Sequence, residues 1–130
     1  MTGDEITLTI PREEPFREVA QLVLAGFAAR LNLTYESLDD LETALEAVLE
    51  RVAENGEVTV KIRADEGAIR ASVGPLVGES LRAELERDPG DGVTLRRILD
   101  TVVDEYELHG DGWLELCKRV ERGVEADARE

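Results

Sequence analysis

Two short alternating segments, EVTVKIRA (Glu57–Ala64) and AIRASVG (Ala68–Gly74), constrain this chain more than anything else in it. Val58, Val60 and Ile62 fall on one face of the first. Ile69, Ala71 and Val73 fall on one face of the second and should share the same side of a sheet. Only Asp65-Glu66-Gly67 separates the two runs, a short connection with glycine where a tight turn wants it. The pair reads as a β-hairpin, and a hairpin pairs its strands antiparallel. A doubly wound parallel sheet, which needs helical crossovers between its strands, does not fit.

The rest of the chain supplies the other elements. EITLTIP (Glu5–Pro11) sets Ile6, Leu8 and Ile10 against Thr7 and Thr9, a strand that Pro11 ends. From Pro15 to Leu31, the residues Phe16, Val19, Ala20, Leu22, Val23, Phe27 and Leu31 recur at helical spacing. Gly26 lies inside that helix and costs about 1 kcal/mol against alanine, which close packing of another element would explain. Thr34 has the chemistry of an N-cap for a second helix running to about Asn55, where Asn55-Gly56 breaks it. Its apolar stripe is Leu38, Leu41, Leu45, Val48, Leu49 and Val52, and beside it runs a row of carboxylates, Asp39, Glu42, Glu46 and Glu50. A breaker-rich stretch from Gly74 to Gly92 holds one short helical pattern, Leu76 to Leu85. The helix VTLRRILDTVVD and a second hairpin, YELHG and GWLELCKRV turning at Gly110-Asp111-Gly112, complete the order. These elements predict an α+β fold: a two-layer sandwich of a mixed or antiparallel five-stranded sheet with helices on one face. Residues 1–120 form one domain, and 121–130 a charged, frayed tail.

Composition narrows the function. Of 130 residues, 30 are acidic and 15 basic, for a formal net charge of −15. Affinity for nucleic acid comes largely from Lys and Arg neutralising phosphates, so a nucleic-acid partner is excluded, whereas a basic protein surface is compatible. No apolar run approaches the roughly 18–20 residues of a membrane span, and MTGDEI lacks the parts of a signal peptide, which predicts a cytoplasmic protein with no membrane partner. The single cysteine, Cys117, allows no internal disulfide and reads as a packed small hydrophobe. His109, the lone histidine, falls at a hairpin turn with no nucleophile in view, which gives no Ser-His-Asp arrangement. Trp113 is a candidate anchor, either for the core or for an interface. The carboxylate row on the second helix predicts no metal site, because hard cations want oxygens converging from more than one element.

One segment carries a resemblance. LTIPREEPFREVAQLVLAGFAARLNLTYESLDDLETALEAV is similar to the anti-sigma-factor serine/threonine kinases, members of the histidine kinase/Hsp90-like (GHKL) ATPase superfamily. The likeness lies in a strand ending in proline, a Leu-rich helix with a small-residue centre, a Thr-Tyr loop, an acidic pair before leucine, and an Ala-rich acidic helix. The element order keeps it alive to about Val120. The resemblance places the family's N-box in ALEAVLER, with Glu46 at the general base and Glu50 where an asparagine normally holds Mg²⁺. It places the adenine-binding Asp-x-Gly-x-Gly at Ser72-Val73-Gly74-Pro75-Leu76, where the Asp is Ser72, Gly74 survives and the second glycine is absent. The phosphate-cradling Gly-x-Gly corresponds to Gly92-Val93-Thr94, with one glycine left.

All three nucleotide motifs are therefore altered. The resemblance implies a degenerate, non-catalytic anti-sigma-like regulator with no cofactor, whose partner is a sigma factor or an anti-sigma antagonist. Its alternative is an active serine/threonine protein kinase using ATP and Mg²⁺, with Glu46 as base, that phosphorylates an antagonist. Kinases of this family pair through their sheets and first strands, so a homodimer is a further implication. Read from the residues alone, Glu46 and Glu50 leave two options open: a solvated helix edge, or a remodelled N-box.

Overall fold

A computed structural model describes residues 5–51, 56–65, 67–76 and 94–119. Its strands are β1 (Glu5–Pro11), β2 (Glu57–Asp65), β3 (Ala68–Gly74), β4 (Glu105–Leu108) and β5 (Leu114–Arg119), and its helices α1 (Glu14–Leu31), α2 (Tyr35–Leu49) and α3 (Leu95–Val102). The strands form one five-stranded sheet in the order β1-β2-β3-β5-β4. Every ladder is antiparallel, so the mixed alternative drops out. β4 returns to the edge and β5 lies inside it, which is why Leu114 and Leu116 are buried while Tyr106 and Leu108 are only partly so.

The predicted hairpin forms, and its two apolar faces coincide. Val60 pairs with Val73 and Ile62 with Ala71, and these side chains join the core beneath the helices. Alternation then sends Lys61, Arg63, Arg70 and Ser72 to the opposite face of the sheet. The helices contribute Ala20, Leu24 and Phe27 from α1, Leu41, Leu45 and Val48 from α2, and Leu95 and Leu99 from α3. Two layers share one core, as the α+β sandwich requires.

Local chemistry sets the boundaries. The Thr34 hydroxyl oxygen accepts from the Ser37 N–H at 3.1 Å, the N-cap expected of α2. The end of α2 comes earlier than the sequence pattern suggests. Leu49 is its last residue, and Arg51 N–H already bonds back to Val48 O at 3.0 Å, the tighter span of a closing turn. Residues 52–55 lie outside the described part, as do Val93, the tail and all but Leu76 of the short helix expected from Leu76 to Leu85. Gly56 has φ +85°, a conformation that favours glycine.

Arg12 is a buried arginine that the sequence reading did not single out. Its Nε donates to Glu57 O at 2.7 Å and its Nη2 donates to Pro75 O, tying the end of β1 to β2 and to the chain leaving β3. Across the core, Lys118 Nζ reaches Asp40 Oδ2 on α2 at 2.9 Å. Among the described residues, no helix is long and apolar enough to cross a membrane.

Candidate functional site

The site is best built outward from α2. Apolar residues on its inner side hold it against α1 and α3, which leaves Asp39, Glu46 and Glu50 exposed and Glu42 half-buried on the outer side. Glu46 and Glu50 lie one turn apart, and Glu50 N–H donates to Glu46 O at 2.9 Å. Glu50 has a cation nearby: its carboxylate sits 3.8 Å from Arg51 Nη1, which also donates to Ala47 O at 2.9 Å. At that distance, and with the Glu50 side chain 48% exposed, solvent screens the pair to a small contribution. Beside the row, Gln21 of α1 donates through Nε2 to Glu42 O at 3.2 Å, while its buried Oε1 has no hydrogen-bond partner among the described residues.

Thr94 stands at the start of α3, the helix packed beside α2. Its hydroxyl oxygen accepts from Arg97 N–H at 3.1 Å. The side chain thus satisfies a backbone donor that a phosphate would otherwise take at a helix N-terminus. Gly92 lies outside the described residues.

The positions that the resemblance matched to the adenine motif go elsewhere. Ser72 pairs in register with Lys61 and Glu115, and its neighbours Ala71 and Val73 point into the core. Its side chain is therefore on the sheet face turned away from the helices, opposite Glu46 and Glu50. Gly74 packs against Trp113: a Cβ built there would lie 2.7 Å from indole Cδ2. On that same face, Lys61 Nζ sits 5.1 Å from the centre of the Trp113 ring, within cation–π range. Steric need for a bare backbone beneath an indole accounts for Gly74 without any ligand. Trp113 precedes β5 and is an anchor of the far face.

The remaining candidates are local. His109 Nε2 lies 3.4 Å from Glu115 Oε1 at the β4–β5 turn. Gly112 in that turn has φ +93°, and its carbonyl accepts from Leu76 N–H. Cys117 is a buried free thiol flanked in register by Arg70 and Glu105. Among the described residues, no three His, Cys, Asp or Glu side chains converge to hold a metal ion.

The structure thus brings Glu46 and Glu50 together and sets Thr94 on the neighbouring helix. It separates Ser72 and Gly74 from all three by the thickness of the sheet. Among the described residues, the carboxylates stand in solvent, the Thr94 hydroxyl caps its own helix, and Trp113 covers Gly74.

No family model matches the chain. Curated relatives do. The serine-protein kinase RsbW of Listeria monocytogenes serovar 1/2a and that of Listeria innocua serovar 6a are each 32% identical to it over 132 aligned positions, covering 83% of this chain and 81% of theirs. The chain belongs to the RsbW family of serine-protein kinases. This agrees with the anti-sigma-kinase resemblance carried by the N-terminal half and by the N-box helix. A solved structure supports the same fold. The crystal structure of the RsbU and RsbW domains of Rv1364c from Mycobacterium tuberculosis superposes with a TM-score of 0.61 at 17% identity. It covers 92% of this chain, which spans 33% of that longer one. Within the RsbW family, then, this member keeps the sandwich, and the positions that the resemblance matched to the nucleotide motifs lie on two sides of the sheet.

Proposed function

We propose that this RsbW-family chain is a non-catalytic regulator that acts by binding a protein partner, a sigma factor or an anti-sigma antagonist, in the cytoplasm. The observation that carries this reading is the dispersal of the motif positions. A kinase of this kind needs a base, a metal ligand, an adenine acceptor and a phosphate cradle around one cavity. Here Ser72 faces away from Glu46 and Glu50, Gly74 lies under Trp113, and Thr94 is committed to its own helix.

The exposed row on α2 supports a binding role. Asp39, Glu46 and Glu50 present like charges on a chain of formal net charge −15, a surface suited to a basic partner region. Such complementarity chiefly raises the association rate and weakens as salt rises. Calorimetric titration with ATP and ADP, with and without Mg²⁺, should give no heat. Magnesium-dependent binding in the micromolar range would overturn the reading. Partner binding should fall with ionic strength, and tight binding indifferent to salt would remove the electrostatic part.

A second reading is an active serine/threonine protein kinase with Glu46 as base and Glu50 in place of the metal-binding asparagine. Two observations favour it: the 32%-identical relatives are named serine-protein kinases, and Glu46 and Glu50 do share one helix face. It predicts transfer of labelled phosphate from ATP to a serine of an antagonist protein, abolished by Glu46→Ala. Absence of transfer to any cognate antagonist would end it.

A further inference from the structure

Alternation that buries one side of a sheet lays the other side open. On the side turned away from the helices, β1 presents Thr7 and Thr9, β2 presents Lys61 and Arg63, and β3 presents Arg70 and Ser72. Thr7, Thr9, Lys61 and Arg63 are exposed, and the three described helices feed the core on the other side. The charge on this face runs against that of the molecule. The chain has a formal net charge of −15, yet Lys61, Arg63 and Arg70 are neighbours here, with Arg63 directly opposite Arg70 and Lys61 opposite Ser72. Like charges facing each other across an antiparallel pair cost stability. Glu5, opposite Arg63, stands at the outer margin. Arg119, opposite Ala68, adds a cation at the end of β5, and the rest of the β4–β5 side is acidic, with Glu107 opposite Glu115. Trp113, the single tryptophan of the chain, borders the basic half. Half-buried, it lies over Gly74 with the Lys61 ammonium 5.1 Å from its ring centre. A part-exposed tryptophan beside two arginines is the composition of an interface centre.

We propose that this open face docks an acidic, extended segment of a partner protein, laid along β2 and β3 with its carboxylates on Lys61, Arg63 and Arg70. Charge complementarity carries the choice. A guanidinium offers a carboxylate two parallel N–H donors, which an amide or hydroxyl cannot match in strength. A carboxylate set between Arg63 and Arg70 also turns a repulsive cross-strand pair into two attractive contacts, so docking relieves a cost that the free chain carries. Spacing agrees with charge. Lys61 and Arg63 are two residues apart on one strand, about 6.6 Å along it, which is the repeat of alternate side chains in an extended segment. The carboxylates of the β4–β5 side repel such a segment and confine it to the basic half. A nucleic acid fits less well: one indole is a short stacking platform, and a phosphate at every link meets the field of a chain at −15. The face lies across the sheet from the acidic row of α2, and the proposal stands whichever reading of that row holds.

Trp113 makes the test local, because no other tryptophan contributes to the emission. The full chain is titrated at low ionic strength with an oligoglutamate peptide about ten residues long, enough to run the length of β2 at ~3.3 Å per residue, and Trp113 fluorescence is followed. The net charge opposes general adsorption of a polyanion, so saturable binding reports the patch. The emission should shift saturably. Lys61→Gln and Arg63→Gln should each raise the dissociation constant by about 3-fold, and the double variant by about 10-fold. Arg63→Gln also removes a like-charge pair, so its urea midpoint should not fall, which separates lost binding from lost folding. No binding up to millimolar peptide overturns the proposal, as does binding that both variants leave unchanged. Binding that appears only when Glu121, Glu125, Asp127 and Glu130 are replaced by Gln gives the face to the chain's own C-terminal residues and overturns a partner as its occupant. A single-stranded oligonucleotide of equal charge that binds more tightly overturns the choice of a peptide.

Discussion

The helices α1 and α2 lie side by side on one sheet and give their outer faces to opposite uses. The outer side of α2 carries Asp39, Glu46 and Glu50 in solvent. The outer side of α1 carries Val19, Leu22, Gly26 and Ala29. Both helices pack an inner stripe into the core, the stripe of α2 being the wider, and that packing does not dictate what the outer sides carry. Burial fixes which residues face in; what faces out is left to solubility or to a partner. On α2 the outward choice is charge, on α1 it is an apolar stripe, and the second choice is the unusual one.

The contrast within α1 gives the largest effect. Phe27 is 2% exposed and packs in the core, whereas Leu22 on the opposite side is 73% exposed. Phe27→Ala should destabilise the fold by about 3–5 kcal/mol, because it removes both the transferred surface and the packing around it. Leu22→Ala should change stability by less than about 0.5 kcal/mol. Urea midpoints check both. A loss at Leu22 close to that at Phe27 would mean that the outer stripe is covered within the chain, and the contrast would fail.

Much of this architecture was legible in the sequence, for reasons visible in particular residues. Period-two alternation over Val58–Ile62 and Ile69–Val73 set the strands and their shared core face together. Thr34 announced the start of α2 by cap chemistry alone. The face of Ser72 was legible too: once Ala71 and Val73 point inward, parity sends Ser72 outward, whatever a motif comparison suggests. The outer stripe of α1 was hidden for the opposite reason. With apolar residues on both sides, Phe16, Val19 and Leu22 merge with Ala20 and Phe27 into one helical pattern, and periodicity cannot separate two stripes. The contact of Trp113 with Gly74 left no local trace, because it joins residues far apart in the chain. The early end of α2 is not legible because Glu50 and Arg51 are good helix formers, and no breaker stands between Leu49 and Asn55.

The starts of the two helices differ as well, with a medium-sized consequence. α2 is capped by Thr34, whereas Glu13 before α1 makes no side-chain capping bond and α1 instead opens with Pro15 in its first turn. Thr34→Ala should cost about 1 kcal/mol, and Glu13→Ala a few tenths at most. Paired denaturation curves decide it. Equal losses would show that charge at the helix start, rather than a capping bond, stabilises both.

The smallest expected effect bears most directly on the site. If Glu46 and Glu50 are a solvated edge of α2, they repel one another across one turn, and removing that repulsion should help. The double variant Glu46→Gln with Glu50→Gln should then stabilise the fold by about 0.2–0.5 kcal/mol at low ionic strength. The gain should fade as salt screens the pair, since the Debye length shrinks to about 8 Å at physiological ionic strength. Gln keeps the size and helix propensity of Glu, so packing is held constant. A loss above about 1 kcal/mol would mean that the carboxylates are held by specific partners, as a working N-box requires. The same variant should slow association with a basic partner, because that effect depends on charge and not on a formed pocket. Stabilisation together with slower binding is the joint outcome that an acidic docking ridge produces and a nucleotide site does not.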